Sequence, residues 1–263
     1  MPGGLITLTT DFGTADHFAG VMKGVILGIA PRARIVDITH EIAPYAAMDA
    51  AFVIAQAWRY FPKRTIHVIV VDPGVGSARR PILAEAEGHF FIAPDNGVLS
   101  MIYEDAKTKV RVISNPKMML NEVSRTFHGR DVFAPAAAHL ARGVPAARFG
   151  KLIHDALRFS GWKPSKISRN VSSGIVLKVD RFGNLITNFH IHAFPEVRTR
   201  PFELRIGRER VHRLALTFSE AELGELFMIV GSSGYFEIAA NQASAAERLS
   251  CGAGTPVELE IST

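Results

Sequence analysis

The first 165 residues alternate short β-branched apolar runs with longer stretches of helical periodicity. Ile66–Val71 is almost continuously apolar, as expected for a strand that is covered on both faces. In Ala15–Ile29 the apolar side chains recur at spacings of three and four, which predicts a helix with one buried face. Strands separated by helices favour a mostly parallel sheet with helices on both sides. The sequence therefore predicts an α/β domain over residues 1–165.

The pattern changes after residue 165. Short apolar runs separated by glycine-containing turns predict antiparallel strands. Only Ser219–Leu226 and Ala243–Leu249 have helical character, and the segment 159–166 is typical of a linker. We therefore expect a second, smaller and mainly antiparallel β domain over residues 172–263.

Charge and cysteine content exclude several classes of protein. The chain has 30 Lys and Arg against 25 Asp and Glu, but its basic residues are scattered and interleaved with Glu, Phe and Pro, which indicates a solvated surface rather than a nucleic-acid site. The single cysteine, Cys251, excludes an internal disulfide and a Cys-based zinc site. No secretory signal and no 18-residue apolar window is visible. We expect a cytoplasmic protein without a membrane partner.

Polar loops follow three of the predicted strands. Ligands of open α/β sheets bind beyond the carboxyl ends of strands, so these loops are expected to converge on one crevice, although a single Asp in such a loop commonly serves a turn or a cap. Gly74-Val75-Gly76 lacks the third glycine of a dinucleotide-binding fingerprint. The loops are Thr9–Gly13, Val71–Gly76 and Ala93–Gly97, and they contribute Asp11, Asp72 and Asp95.

Two further segments carry candidate polar residues. In Thr126–Asp131, we expect Asp131 to cap the helix that begins at Val132, and His128 beside a glycine is able to face a cleft. Asp180–Asn184 is predicted to form a turn between two strands. His190 and His192 share a strand face but have no cysteine or carboxylate pair beside them, so we expect no metal site.

Eight segments follow one another along the chain: Thr10–Gly13, Asp37–His40, Ile42–Pro44, Val71–Gly76, Pro94–Gly97, Thr126–Asp131, Asp180–Asn184, and Gly234–Ala239 with Asn241. Together and in this order, they resemble the S-adenosyl-L-methionine hydroxide adenosyltransferases (SAM hydrolases), the relatives of fluorinase and chlorinase. The resemblance implies an α/β domain followed by a β-barrel-like domain, and a homotrimer with active sites at subunit interfaces. It also implies that S-adenosyl-L-methionine is a small-molecule substrate and that no cofactor is needed.

The resemblance also implies roles for individual residues. Asp72, Arg79 and His128 correspond to the catalytic trio, and Asp72 and His128 favour the hydrolases over the halogenating relatives. Asp11 is implied to hold the ribose hydroxyls, and Asp180 the methionine amino group together with Asn184. Tyr45 and Phe127 are implied to pack on the substrate. Ser232 lies at the methionine carboxylate position, but it is followed by Ser233 rather than by the Arg of the halogenating relatives. Further substrate contacts are implied for Phe182, Tyr235, Glu237 and Asn241.

The expected reaction is hydrolysis of S-adenosyl-L-methionine to adenosine and L-methionine by attack of water at the ribose 5′ carbon. Two alternatives from other classes stay open at this point. One is a non-catalytic sensor of S-adenosylmethionine or adenosine. The other is a metal-dependent phosphoesterase built from Asp11, Asp72, Asp95 and His128, whose side chains are able to ligate a divalent cation.

Overall fold

A computed structural model describes residues 4–262 of the chain. They divide into two compact units, the first ending at Phe159 and the second beginning at Ser160. Among the described residues, no helix is long and apolar enough to span a bilayer.

The first unit is built on a mixed seven-stranded sheet, so the prediction of a mostly parallel sheet is not confirmed. Its strands are β1 (Leu5–Thr10), β2 (Arg34–Thr39), β3 (Ile66–Val70), β4 (Pro81–Ala86), β5 (His89–Pro94), β6 (Thr108–Val112) and β7 (Leu152–Ile153). They lie in the order β2-β1-β3-β5-β4-β6-β7, in which β2, β1, β3 and β5 are parallel and the remaining pairs are antiparallel.

The departure from a parallel sheet begins at a hairpin. Glu87 and Gly88 join β4 directly to β5, and both take positive φ angles, 46° and 81°. A two-residue turn of this kind connects adjacent antiparallel strands without a crossover helix. Strand β4 therefore runs against β5, and β6 and β7 continue the antiparallel part of the sheet.

Helices cover both faces of this sheet, as the sequence predicts. Strand β3 alternates between the two cores: Val68 and Val70 face one of them, while Ile69 faces the other. Helices α1 and α4 pack in the first core, and α2 and α3 in the second. The helices are α1 (Phe18–Ile29), α2 (Ala47–Ala57), α3 (Ser100–Asp105) and α4 (Ala134–Ala141), with 3₁₀ turns at Trp58–Tyr60, Pro116–Met118 and Ala146–Arg148 and a π-helical turn at Gly129–Phe133.

The second unit is a curled sheet of nine strands, in the form of a half-barrel. The strand order is β12-β11-β16-β9-β10-β15-β14-β13, with β8 paired to β9, and every pair except β13–β14 is antiparallel. The elements are β8 (Ser165–Lys166), β9 (Val171–Val179), β10 (Leu185–His190), β11 (Phe202–Ile206), β12 (Glu209–Val211), β13 (Leu214–Ala215), β14 (Leu226–Val230), β15 (Tyr235–Ala240) and β16 (Pro256–Ile261), with α5 (Ala245–Leu249) and 3₁₀ turns at Pro195–Arg198 and Phe218–Glu220.

One helix predicted in the second unit does not form. Ser219–Leu226 contains only the end of the 3₁₀ turn at Phe218–Glu220 and the start of β14. Gly224 takes a φ of 75°, and its N–H donates to the Asn241 carbonyl instead of to a helical partner. The segment is therefore a loop that leads into the sheet.

Candidate active site

Asp72, Arg79 and His128 form one hydrogen-bonded group in the first unit. Asp72 comes two residues after the end of β3, and Arg79 precedes the start of β4. Arg79 Nε donates to Asp72 Oδ1 over 2.9 Å, and Arg79 Nη2 donates to Asp72 Oδ2. The two side chains are only 8% and 5% exposed. This bidentate, buried geometry fixes the plane of the guanidinium.

The same guanidinium contacts the imidazole of His128. Arg79 Nη2 lies 2.8 Å from His128 Nδ1, and since a guanidinium can only donate, Nδ1 must accept. Burial, followed by the positive charge of Arg79, lowers the pKa of His128 from its ordinary value. The imidazole is therefore neutral at pH 7, with its hydrogen on Nε2.

Close contact between two loops holds the trio together. Gly76 takes a φ of 76°, and a Cβ atom at this position would lie 2.1 Å from the Arg125 carbonyl oxygen. No other residue type fits there, so glycine allows the loop after β3 to reach the segment that carries His128. That segment continues into the π-helical turn, where the Phe133 ring lies 5.1 Å from the Arg79 guanidinium carbon.

Asp131 supports the His128 segment in a way that the sequence did not predict. It does not cap the helix that follows it; its buried carboxylate accepts hydrogen bonds from the Ser124 N–H, over 2.9 Å, and from Arg130. Burial alone would raise the pKa of Asp131, but the hydrogen bonds from Arg130 and Ser124 lower it below its ordinary value. The Ser124 backbone in turn acts on His128, where it raises the pKa against the larger effects of burial and Arg79. Asp131 and His128 are therefore linked through Ser124.

Asp72 and His128 line a cavity of about 330 Å³, whereas Arg79, which contacts both of them, is not among its lining residues. Asp11 Oδ2 accepts a 2.9 Å hydrogen bond from the Tyr45 N–H, and Tyr45 takes the uncommon φ of 68° while its side chain points largely into solvent. Phe127 packs edge-on against Phe12 and Phe18. Five of the predicted site residues, Asp11, Tyr45, Asp72, Phe127 and His128, line the cavity together with Phe12, Phe18, Pro44, Val70, Val75, Thr126 and Gly129.

Sequence reasoning missed the residues that hold the Asp11 loop. Thr10 Oγ1 and Nδ1 of the buried His40 share a 2.8 Å hydrogen bond, and the Gly13 N–H donates to the His40 carbonyl over 2.8 Å. His40 Nε2 lies 3.1 Å from Asp37 Oδ1. The sequence did contain a signal for this pair, because Asp37 and His40 are the first and last residues of the Asp37–His40 segment.

Asp95 does not join the other two loop carboxylates, contrary to the expected convergence. It accepts hydrogen bonds from Arg80 and, over 2.9 Å, from the Leu157 N–H. Within residues 4–262, no group of three His, Cys, Asp or Glu side chains is arranged to hold a metal ion.

The second unit contains its own cavity, of about 810 Å³. The substrate-binding residues predicted in this unit lie on three elements: the Asp180–Asn184 turn, the turn after β14, and β15 together with the residue that follows it. Tyr235 does not line the cavity, and its ring lies edge-on to His190 at 4.9 Å. The predicted residues that line the cavity are Asp180, Phe182, Asn184, Ser232, Glu237 and Asn241.

Close packing fixes the Asp180–Asn184 turn. Gly183 takes a φ of 83°, and a Cβ atom there would lie 2.1 Å from Ser244 Oγ, at the start of α5. Across the cavity lining, burial, followed by the negative charge of Asp180, raises the pKa of Glu237. Asn241 donates its side-chain N–H to the Ala221 carbonyl over 2.7 Å.

Comparisons with known proteins agree with this architecture. Family models described as the SAM hydroxide adenosyltransferase N-terminal domain and C-terminal domain match residues 6–150 and 174–258. The chain is 37% identical over 262 residues to the (R)-S-adenosyl-L-methionine hydrolase of Salinispora arenicola, with 95% of each chain covered. It is 30% identical to the fluorinase of an Actinoplanes strain, with 96% of each covered.

A solved structure gives the same result. An uncharacterized conserved protein from Thermotoga maritima superimposes with a TM-score of 0.90 at 36% identity, over 97% of this chain and 99% of that one. With both domains matched in order and the sequence similarity extending over almost the whole chain, the protein belongs to the SAM hydroxide adenosyltransferase family.

Proposed function

We propose that this protein is an enzyme that hydrolyses S-adenosyl-L-methionine to adenosine and L-methionine, by attack of water at the ribose 5′ carbon. The observation that carries the proposal is the hydrogen-bonded group of Asp72, Arg79 and His128 beside a cavity that Asp11 also lines. Relatives that share more than a third of the sequence over nearly the full length are named as hydrolases of this substrate.

The substrate's own chemistry defines what the site must supply. The sulfonium sulfur carries a positive charge, so methionine leaves as a neutral thioether and no general acid is required. The demanding step is to hold a water molecule in line with the carbon–sulfur bond. Positioning of this kind is able to supply about 7–11 kcal/mol in favourable cases.

Arg79 is suited to binding the incoming oxygen. Its Nη1 is buried and has no hydrogen-bond partner among residues 4–262, whereas Nε and Nη2 are occupied by Asp72 and His128. An unsatisfied buried donor is costly unless a ligand pairs with it. We assign Nη1 to the attacking water, which must enter beyond the cavity lining to reach it, and there the positive charge stabilises the developing oxygen charge.

Asp72 is assigned as the proton acceptor. The lone pair on His128 Nδ1 already accepts from Arg79, so it is not free, whereas the Asp72 carboxylate has lone pairs beyond the two that Arg79 uses. As the carbon–oxygen bond forms and the carbon–sulfur electron pair passes to sulfur, the attacking water becomes strongly acidic. A weakly basic carboxylate is then sufficient to take the proton.

The proposal divides substrate recognition between the two cavities. Asp11 binds the ribose hydroxyls and Tyr45 and Phe127 pack on the nucleoside, while residues of the second cavity bind the adenine and methionine groups. The enzyme is also proposed to be a homotrimer with active sites at subunit interfaces, as the resemblance to the family implies. The enzyme is proposed to act in the cytoplasm and to use no cofactor.

The test is incubation with S-adenosyl-L-methionine in oxygen-18 water, without added halide or metal. We expect adenosine that carries the label at its 5′ oxygen. The rate of adenosine formation is expected to fall by at least about 100-fold in Asp72→Ala and in His128→Ala. Because relatives are named for the (R) form, the two sulfonium epimers are assayed separately. Unlabelled adenosine would contradict the bond assignment, and tight binding without turnover would indicate a sensor.

A further inference from the structure

The cavity of the second unit has an unusual charge pattern. Two carboxyl side chains, Asp180 and Glu237, line it. Among the described residues that line it, none is Lys, Arg or His. Burying negative charge without a compensating cation is costly, so the cavity is suited to a ligand that brings positive charge.

The hydrogen-bonding capacity of Asp180 is largely used within its own turn. Asp180 Oδ1 accepts from the backbone N–H groups of Phe182 and Asn184, over 2.8 Å and 2.9 Å. Its Oδ2 accepts from the side-chain amide of Asn184 over 2.9 Å. Asp180 therefore serves first to shape the turn.

Glu237 is in the opposite situation. It lies on β15, half-buried, and no described residue donates a hydrogen bond to its carboxyl group. The group lies so close to Gly231 that a Cβ atom there would be 1.8 Å from Oε1. The glycine thus makes room for a carboxyl that has no hydrogen-bond partner among residues 4–262. Its raised pKa, caused by burial and then by Asp180, agrees with an uncompensated charge.

We propose that Glu237, in addition to Asp180, to which the resemblance assigns the methionine amino group, binds the ammonium group of the substrate's methionine half and makes the enzyme selective for sulfonium substrates that carry an amine. This inference rests on the proposed function. An ammonium has three donors and one positive charge, and so satisfies the free carboxyl and offsets the charge of Asp180. The neutral adenine amino group would supply a donor but no charge.

The test compares three sulfonium substrates: S-adenosyl-L-methionine, its decarboxylated aminopropyl analogue, and 5′-deoxy-5′-(dimethylsulfonio)adenosine, which has neither amine nor carboxylate. We expect the wild-type kcat/KM to be about 10- to 100-fold lower for the dimethyl compound than for the two that carry an amine. In Glu237→Gln, the rate with the amine-bearing substrates falls by this factor while the dimethyl rate stays within about threefold, since no ammonium contact is lost.

The matched control is Glu209→Gln, an exposed glutamate of the same unit that does not line the cavity, which is expected to keep the wild-type selectivity. Adenosine binding and the melting temperature verify that Glu237→Gln is folded. An equal loss with all three substrates, or no loss with any, overturns the proposal.

A binding measurement separates this inference from the proposed function. Calorimetry with L-methionine and with 3-(methylthio)propylamine needs no turnover, and we expect Glu237→Gln to weaken both by about 10- to 100-fold. If the wild type does not hydrolyse S-adenosylmethionine but this difference in binding is found, the proposed reaction fails and the role of Glu237 stands. Equal binding to wild type and variant contradicts the role of Glu237.

Discussion

Arg79 and His128 share a 2.8 Å hydrogen bond in which the arginine must be the donor. The bond occupies the only lone pair of the neutral imidazole, and so His128 holds the guanidinium in place instead of accepting a proton itself. Because Asp72 binds the other edge of the same guanidinium, the three side chains act as one group. Removal of any member is expected to disturb the other two.

The first prediction concerns the shape of the cation. Arg79→Lys keeps the positive charge but loses the planar fork that binds Asp72 and His128 simultaneously. We expect kcat for adenosine formation to fall by about 100- to 1,000-fold. Arg59→Lys, which changes a surface pair with Glu87, is the control and is expected to retain activity within about twofold. Near-normal turnover by Arg79→Lys would show that charge alone suffices.

The second prediction concerns the acid side of the pH profile. Burial and the charge of Arg79 lower the pKa of His128 from 6.5, so the ring stays neutral through pH 7. Protonation at lower pH places a hydrogen on Nδ1, which can then no longer accept from Arg79. We expect kcat/KM to be level near pH 7 and to fall with an inflection below pH 6.5. His139→Gln, outside the cavity, is expected to keep this profile, and an inflection at or above pH 6.5 contradicts the assignment.

The third prediction concerns the contact between the two loops. Gly76→Ala combines a positive φ with a clash against the Arg125 carbonyl. We expect a loss of at least about 1–2 kcal/mol in the free energy of unfolding, together with at least about a tenfold loss of activity as the trio separates. Gly143→Ala is the control, because its φ is 92° but, apart from its own chain neighbours, no atom of residues 4–262 lies within 4 Å of the added carbon. Gly143→Ala is expected to lose stability only through the cost of a positive φ at an alanine, and to stay active. Similar activities in the two variants would contradict a role for the Gly76–Arg125 contact in holding the trio.

The fourth prediction concerns a histidine buried in the first unit. Nδ1 of His67 shares a 2.8 Å hydrogen bond with Thr7, and its ring stacks on His89 and Phe91. Burial, and then the charge of His89, lowers the pKa of His67 to about 3. The folded protein thus binds fewer protons than the unfolded chain below the ordinary pKa of 6.5, and stability falls as the pH decreases from 6.5 toward 3.

The expected slope for this one group is about 1.4 kcal/mol per pH unit, or about 2 kcal/mol between pH 6.5 and 5. Chemical denaturation of the wild type and of His67→Phe at pH 8 and pH 5 measures it. His67→Phe is expected to lose about 1–3 kcal/mol at pH 8, since Thr7 loses its partner, but to depend less on pH. An unchanged dependence would assign the acid sensitivity to other groups.

The sequence predicted the layers of the first unit but not that β4, β6 and β7 join its sheet through antiparallel pairs. The helices on both faces follow from apolar periodicity, which survives in the structure as the alternation of Val68 and Ile69 between two cores. The error came from Pro81–Ala86, which was not assigned as a strand. Glu87-Gly88 lacks the Asn or Asp that usually marks a two-residue hairpin, although it adopts the required positive φ angles. Because the sequence did not reveal this hairpin, a crossover was expected where β4 and β5 form an antiparallel pair.

The candidate site was likewise predicted only in part. Asp72, Arg79 and His128 were identified from the order of the motifs, and the structure places them in contact. The role of Asp131 was not predictable, because its partner Ser124 lies on the preceding loop, outside the helix to which capping rules apply. The absence of any hydrogen-bond donor to Glu237 among the described residues is a property of the folded surroundings, which no local pattern encodes.

The closeness of Gly76 to Arg125 has a consequence for redesign of the nucleophile. The two segments are distant in the chain but have complementary shapes, with less than one side-chain carbon of free space between them. An engineer who wished to replace water with another nucleophile would have to transplant both segments from a donor enzyme as a matched set. If only one segment were replaced, it would either clash with the remaining native segment or leave a gap against it.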